Sequence, residues 1–329
     1  MRKKQRDTLA RSAMKLLCTL LGLILAAMLA LTFAFQYLLD QIHTTAAPPS
    51  SGSQLLSAYS RVDLSPEADT ASALSLVTGD RKNINILLIG QDRREGESQA
   101  RSDSMILCSV CKESGTLTMT SFLRDLYVPI PGHHDNRINA AYSLGGMQLL
   151  KQTIESNFDI SIDGCVEVDF RQFSQIIDLL GGVTLELRQD EAQIINRETG
   201  SDLTEGTQIL TGHQALTYSR IRSLDLDGDF SRTDRQRKVI SALLEAYRKA
   251  SPSRLIPLLK QLLPMITTDL NHGQILLLAL ELAPHLSDIR PVSQRIPADG
   301  TFTDKTIDGM SVLVADMDAA RQLLQNIAK

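Results

Sequence analysis

Between Leu16 and Leu39 the chain runs for 24 residues without one charged side chain. A helix rises about 1.5 Å per residue, so the stretch reaches roughly 36 Å and could cross a bilayer core of about 30 Å. Residues 1–15 carry Arg2, Lys3, Lys4, Arg6, Arg11 and Lys15 against Asp7 alone, and the next basic residue after Leu39 is Arg61. The positive-inside bias then predicts a cytoplasmic basic head at 1–15 and a single-pass signal anchor at 16–39 in the cell membrane, with everything beyond Asp40 extracytoplasmic. A cleavable signal peptide would have a shorter apolar core, about 7–15 residues, and a small-residue cleavage site. The run from His43 to Pro48 offers no such site. A buried core helix is disfavoured because this run is apolar on every face.

The formal net charge of −4 hides an asymmetry: residues 1–15 carry +5 and the remainder −9. An acidic outer region argues against nucleic acid as a partner. Four cysteines in 329 residues exclude a disulfide framework. Residues 40–80 are rich in Ser, Thr, Ala and Pro and lack a sustained apolar period, which reads as a linker with a short helix near Leu55–Tyr59. The remaining 81–329 is long enough for one large domain.

From Asn83 onward strand and helix patterns alternate. Ile84–Ile89 is apolar on both faces, as in a strand covered on both sides. Further strands are expected at Met105–Val110, Leu117–Phe122, Cys165–Val168, Val183–Leu187 and Val312–Val314. Helices are expected at Ala140–Asn157, with Gly145-Gly146 as an interruption from close packing, and at Gln172–Leu180. Others follow at Gly212–Ser219 capped by Thr211, at Arg232–Arg248, at Ile275–Leu282 and at Met317–Ile327. The pattern predicts a layered α/β domain with its ligand at the strand ends.

Arginines and aspartates recur at those ends: Asp92, Arg94, Arg101, Asp103, Arg124, Asp125, Arg220 and Arg222. In the helix starting at Arg232, the apolar face marked by Ile240, Leu243 and Tyr247 extends back through Gln236 to Arg232. An arginine at a helix N-terminus meets the positive end of the dipole, which an adjacent anion would relieve. Two readings stay open: an anion site, or surface pairs with Asp225, Asp227, Asp229 or Asp234.

Other chemistries lack their residues. No HExxH, GxSxG or Walker A sequence occurs, and the six histidines show no metal-ligand spacing. Cys108 and Cys111 form a CxxC in a predicted strand, where their sulfurs point to opposite faces, so packing is the expected role. Cys165 reads as a small core residue, and Cys18 falls in the apolar stretch.

The segments NILLIGQDRR, RSDSM, SFLRDLYVPIPG, RINAAYSLGG, VEVDF, LLGGVTLEL, YSRIR and DFSRTDRQR resemble the LytR-CpsA-Psr family in order and spacing. IPADGTFTDKTIDGMSVLV resembles that family's C-terminal part. Each motif alone is weak; eight in order are specific. The resemblance implies a single layered domain over 81–329, with a central mixed sheet flanked by helices, preceded by one transmembrane helix. It also implies a phosphotransferase that moves a glycopolymer from its polyprenyl-pyrophosphate carrier to the C6 hydroxyl of N-acetylmuramic acid in peptidoglycan, at the cytoplasmic membrane. Carried over motif by motif, Asp92 and Asp103 match the metal-site aspartates, for Mg2+ with Mn2+ as a substitute. Arg94, Arg101, Arg124, Arg220, Arg222, Arg232 and Gln236 match the pyrophosphate-binding positions, and Arg124, Arg220, Arg222 and Asp103 are the catalytic candidates. One segment departs: Ser121-Phe122-Leu123-Arg124-Asp125 has leucine where the family has proline.

The residue types suit the chemistry. Phosphoryl transfer needs positioning and charge neutralisation more than covalent catalysis. Arginine stays protonated and forks onto phosphate, and magnesium takes one or two carboxylates plus substrate oxygens. Asp103 and Asp125 stand as alternatives for the base that receives the hydroxyl proton. A hydrolase using the same site and a non-enzymatic envelope regulator or transcriptional attenuator are the competing functions.

Overall fold

A computed structural model describes residues 37, 40–44, 82–92, 101–222, 224, 229–249, 257–258, 260–282, 285 and 289–328. The expected single-pass anchor is corrected: among the described residues no helix is long and apolar enough to cross a membrane. Of the stretch 16–39 only Tyr37 is described, and the basic head, the helix near Leu55–Tyr59 and Arg94 also lie outside the described residues.

The first strands are β1 (His43–Thr44), β2 (Asn83–Asp92), β3 (Arg101–Cys111), β4 (Thr116–Phe122), β5 (Tyr127–Val128) and β6 (Asn136–Arg137). Helix α1 (Ile138–Phe158) leads to β7 (Gly164–Asp169), α2 (Phe170–Leu179), β8 (Val183–Leu187) and α3 (Gln189–Thr199). Then come β9 (Gly206–Leu210), α4 (Gly212–Arg220), α5 (Asp229–Lys249), β10 (Thr267–Thr268) and α6 (His272–Leu282). The C-terminal part holds β11 (Arg290–Ile296), β12 (Phe302–Ile307), β13 (Met310–Ala315) and α7 (Met317–Gln325).

Seven strands form one sheet in the order β1-β10-β7-β2-β3-β4-β11. β2 pairs with β7 in parallel and β4 with β11 in parallel, while β2–β3, β3–β4 and β7–β10 are antiparallel. The sheet is mixed, as expected. Leu87, Ile89, Met105, Leu107 and Phe122 fill one face against Ile138, Leu150, Ile154 and Phe158 of α1 and Leu324 of α7. Ile106 and Met119 on the other face meet Ile240 and Leu244 of α5. Each fully buried side chain of this kind contributes about 1.5–3 kcal/mol. Surface ion pairs contribute about 0–1 kcal/mol each, so the two covered faces fix the layers.

α1 breaks where two glycines stand together. Gly145 (φ −149°, ψ 21°) and Gly146 (φ 64°, ψ −155°) leave helical geometry. A Cβ on Gly146 would meet nothing within 4 Å. The expected close packing is therefore wrong for Gly146, whose positive φ and extended ψ are what glycine permits.

β11 was not expected from the sequence. Arg290–Ile296 is mainly polar apart from the exposed Val292 and the buried Ile296, and Pro291 suits an edge strand. β9, β12 and α3 were likewise missed. β3 begins four residues before its predicted start, because pairing with β2 carries the polar run Arg101–Ser104 into the ladder.

Cys108, Cys111 and Cys165 are free. Burial pushes the Cys108 thiol up to about 12 and raises that of Cys165 as well, whereas a hydrogen bond with Ser114 lowers that of Cys111. Iodoacetamide at pH 8 should therefore alkylate Cys111 well before Cys108 or Cys165 in the folded chain. Peptide mass spectrometry reads the order, and equal rates at Cys108 and Cys111 would refute it.

Candidate active site

The end of the central hairpin contains a β-bulge. Gly90 pairs with Ser104 and Gln91 with Ser102, which leaves Asp103 without a partner on β2. A bulge re-aims the side chain it carries. Asp103 lines a polar pocket, and next to it Ser104 Oγ donates to Gln236 Oε1 at 3.1 Å. The neighbouring strand end is tied down by a buried polar chain. Gln91 Nε2 donates to Glu167, whose other oxygen accepts from the Tyr142 hydroxyl at 2.6 Å.

Two helices bring in the cations. Thr211 and Gln214 close a capping box at the start of α4, which ends at Arg220. The Arg220 guanidinium lies 5.0 Å from the centroid of the Phe170 ring. α5 starts three residues before its predicted position and carries Arg232 and Gln236 on the face that continues into Ile240, Leu243 and Tyr247. Arg232 is 2% exposed, and its Nε has no hydrogen-bond partner among the described residues. Its Nη2 reaches Asp229 at 3.3 Å and the Asp103 carbonyl at 3.5 Å.

The turn after β4 supplies Arg124. At the position where the family pattern has proline, Leu123 donates its N–H to the Ile296 carbonyl at 2.9 Å. A proline could not make that bond. Arg124 Nε lies 2.9 Å from Asp229 and 3.4 Å from Asp125, and Nη1 lies 3.5 Å from Asp103. Burial alone would lower the Arg124 pKa; the charges of Asp229, Asp125 and Asp103 outweigh it and raise the value. Arg222 Nε is 3.3 Å from Asp229, and Arg137 Nη1 is 3.0 Å from Asp125.

The pocket measures about 340 Å³ and is lined by Asp103, Arg124, Arg220, Arg222, Arg232 and Gln236 together with Phe170. Six of the sequence-predicted site residues are thus gathered around one space. Phe170 and Gln236 also line a second cavity of about 430 Å³, walled by apolar residues of the sheet, α2 and α5 such as Ile106, Phe173 and Leu244. A cationic pocket adjoins an apolar one.

The two readings left open by the sequence prove compatible. Asp229 pairs with three of the arginines, yet those arginines still line the pocket. Asp234 pairs with Arg237 instead, and Asp225 and Asp227 lie outside the described residues. Asp92 and Arg101 stand opposite each other in the β2–β3 register, one step beyond the bulge; the description of these two stops at the backbone. Sequence reasoning missed Phe170 and gave Asp229 only a neutralising role. The VEVDF segment and the aspartate at the N-terminal turn of α5 were the available signals.

The donor set bears on a metal. Among the described residues no group of three or more His, Cys, Asp or Glu could hold one. Asp103 offers a hard oxygen at the pocket wall, and the Asp92 backbone lies on the paired strand beside it. The described donor is thus a single carboxylate, at the lower end of the one or two that magnesium takes beside substrate oxygens and water.

A family model described as the LytR_cpsA_psr family matches residues 53–329. The polyisoprenyl-teichoic acid–peptidoglycan teichoic acid transferase TagU of Oceanobacillus iheyensis is 36% identical over 220 residues, 65% of this chain and 67% of that protein. A solved structure described as TagT bound to LIIa-WTA aligns with a TM-score of 0.63 at 28% identity, covering 75% of this chain and 91% of that one. Another, TagT with bound octaprenyl pyrophosphate lipid, aligns with a TM-score of 0.58 at 27% identity over 75% and 90% of the two chains. The sequence match and the shared fold agree: the chain belongs to the LytR-CpsA-Psr family.

Proposed function

We propose that this chain transfers a glycopolymer from a polyprenyl-pyrophosphate carrier to the C6 hydroxyl of N-acetylmuramic acid in peptidoglycan. That it is a transferase follows from its relatives. The observation that carries the finer reading is the junction at Phe170 and Gln236, where the arginine-lined pocket adjoins an apolar cavity. A diphosphate joined to a long apolar chain has that division of chemistry. The relative that holds octaprenyl pyrophosphate and the one that holds LIIa-WTA support the same ligand class here.

In this reading the arginines bind and orient the two phosphoryl groups, and the apolar cavity takes the first part of the prenyl chain. The acceptor hydroxyl oxygen attacks the phosphorus that bears the glycan. A phosphodiester to the acceptor forms, the bond to the bridging oxygen breaks, and polyprenyl monophosphate leaves with the bridging oxygen. The hydroxyl proton passes to a carboxylate or to water. Of the two aspartates considered for that proton, both pair with Arg124; Asp103 lines the pocket, while Asp125 is held by Arg137 as well. Charge spreading over the phosphate oxygens is met by Arg124, Arg220, Arg222 and Arg232; losing one such donor typically costs about 10²–10³ in rate. Asp103 with Asp92 would hold a magnesium ion, which supplies further neutralisation of phosphate charge.

The full chain, incubated with a polyprenyl-pyrophosphate glycan and peptidoglycan, should form a peptidoglycan-linked phosphodiester. Chelation should stop transfer, and magnesium or manganese should restore it, but not in Asp103→Asn. Undiminished transfer by the chelated chain would sink the metal assignment. Release of polyprenyl phosphate with no linkage to peptidoglycan would instead make the chain a hydrolase.

A further inference from the structure

A guanidinium has an inner nitrogen, Nε, and an outer pair, Nη1 and Nη2, and phosphate is gripped most securely by two parallel N–H donors. In the pocket described above, a single carboxylate lies within ion-pair distance of the inner nitrogens of two arginines, while the Arg124 Nε–H itself donates to Asp125. Asp229 lies 2.9 Å from Arg124 Nε through Oδ2 and 3.3 Å from Arg222 Nε through Oδ1. Its Oδ2 also meets Arg232 Nη2 at 3.3 Å. All three arginines line the pocket, whereas Asp229 is not part of its lining.

The position of Asp229 is itself fixed. It stands in the first turn of α5, where a negative charge is favoured by the helix dipole. The next residue, Phe230, packs 5.3 Å from the Phe302 ring and carries the Arg295 guanidinium at 4.6 Å. The β12–β13 hairpin and β11 thereby brace the turn that presents Asp229.

We propose that Asp229 is a positioning residue of the anion pocket. It spaces three mutually repelling arginines by ion pairing, at the inner ends of Arg124 and Arg222 and at Nη2 of Arg232. The guanidinium edges turned to the pocket then serve a diphosphate, Arg124 Nη1 being shared with Asp103. This rests on the pyrophosphate reading of the pocket. The opposite expectation is that Asp229 merely competes with the incoming anion, in which case removing its charge would tighten binding of every phosphate.

Calorimetric titration of the full chain with inorganic pyrophosphate and, separately, orthophosphate distinguishes the two. Asp229→Asn should weaken pyrophosphate binding on the order of 10- to 100-fold, by analogy with the outer partners that orient metal-binding side chains. Orthophosphate affinity should stay level or rise, because the pocket has lost a negative charge. Pyrophosphate binding that is unchanged or tighter overturns the proposal, as does an equal loss for both anions. Should Asp229→Asn fail to fold, Asp229→Glu decides, since it keeps the charge and displaces it by one methylene. A lowered pyrophosphate-to-orthophosphate preference in that variant sustains the proposal, and a wild-type preference ends it. Wild-type chain that binds no pyrophosphate would refute the pocket reading itself, and the role of Asp229 with it.

Discussion

Arg232→Met should lower the affinity for geranylgeranyl pyrophosphate by roughly 30-fold to several-thousand-fold while leaving the thermal midpoint unchanged or higher. Arg232 is 2% exposed, its Nε lacks a partner among the described residues, and its polar contacts are long, at 3.3 and 3.5 Å. Removing one partner of a buried ion pair is usually destabilising, because the other charge is left alone. Asp229 keeps Arg124 and Arg222, however, so what Arg232→Met mainly removes is the desolvation penalty of the buried guanidinium. Its use must lie in the bound state, where truncating a buried charged partner typically costs about 2–5 kcal/mol. Calorimetry and a thermal melt on the same preparation read both quantities. A variant that melts earlier and binds as tightly as wild type would show that Arg232 serves the fold and not the ligand.

Gly212→Ala should destabilise the chain by about 3 kcal/mol or more, the upper part of the overpacking range. An added Cβ would sit 1.9 Å from the Ser174 carbonyl oxygen and 2.5 Å from its carbon, both backbone atoms of α2. No side chain can swing aside there. The contact is also hydrogen-bonded: Gly212 N donates to Asp178 Oδ1 at 2.7 Å, and Ser174 Oγ donates to the Gly212 carbonyl at 3.2 Å. Relief requires α4 to move away from α2, and the movement would carry Arg220 off the Phe170 ring. Urea unfolding measures the loss; a change below about 1 kcal/mol would mean that the two helices slide apart freely.

The sequence revealed most elements in which burial imposes a period, though not α3, where Ala192, Ile194 and Ile195 are buried. Val183–Leu187 alternates and was placed to the residue, and Thr211 announced the α4 cap, whose box Gln214 completes. The face of α5 leads back from Ile240 through Gln236 to Arg232, and Gln236 and Arg232 both line the arginine-rich pocket. Pairing was invisible. β11 is recruited by its register with β4, and no local hydrophobic signal marks it. The bulge at Asp103 depends on two strands that disagree by one residue, a relation absent from either strand alone. Asp229 was one of four candidate acids in a short stretch, and only the fold selects which one reaches three arginines.

β11 has one more consequence, for the solubility of shortened chains. It covers the outer edge of β4, whose residues from Leu117 to Phe122 are all buried, whereas four of its own seven residues are polar, four are exposed, and Pro291 interrupts it. It therefore acts as a guard strand. A chain ending before Arg290 would present Thr116–Phe122 as an open, β-rich, uncharged edge to other copies of itself. Such a truncation therefore invites self-association through that edge, in addition to removing the brace that Arg295 and Phe302 give the Asp229 turn.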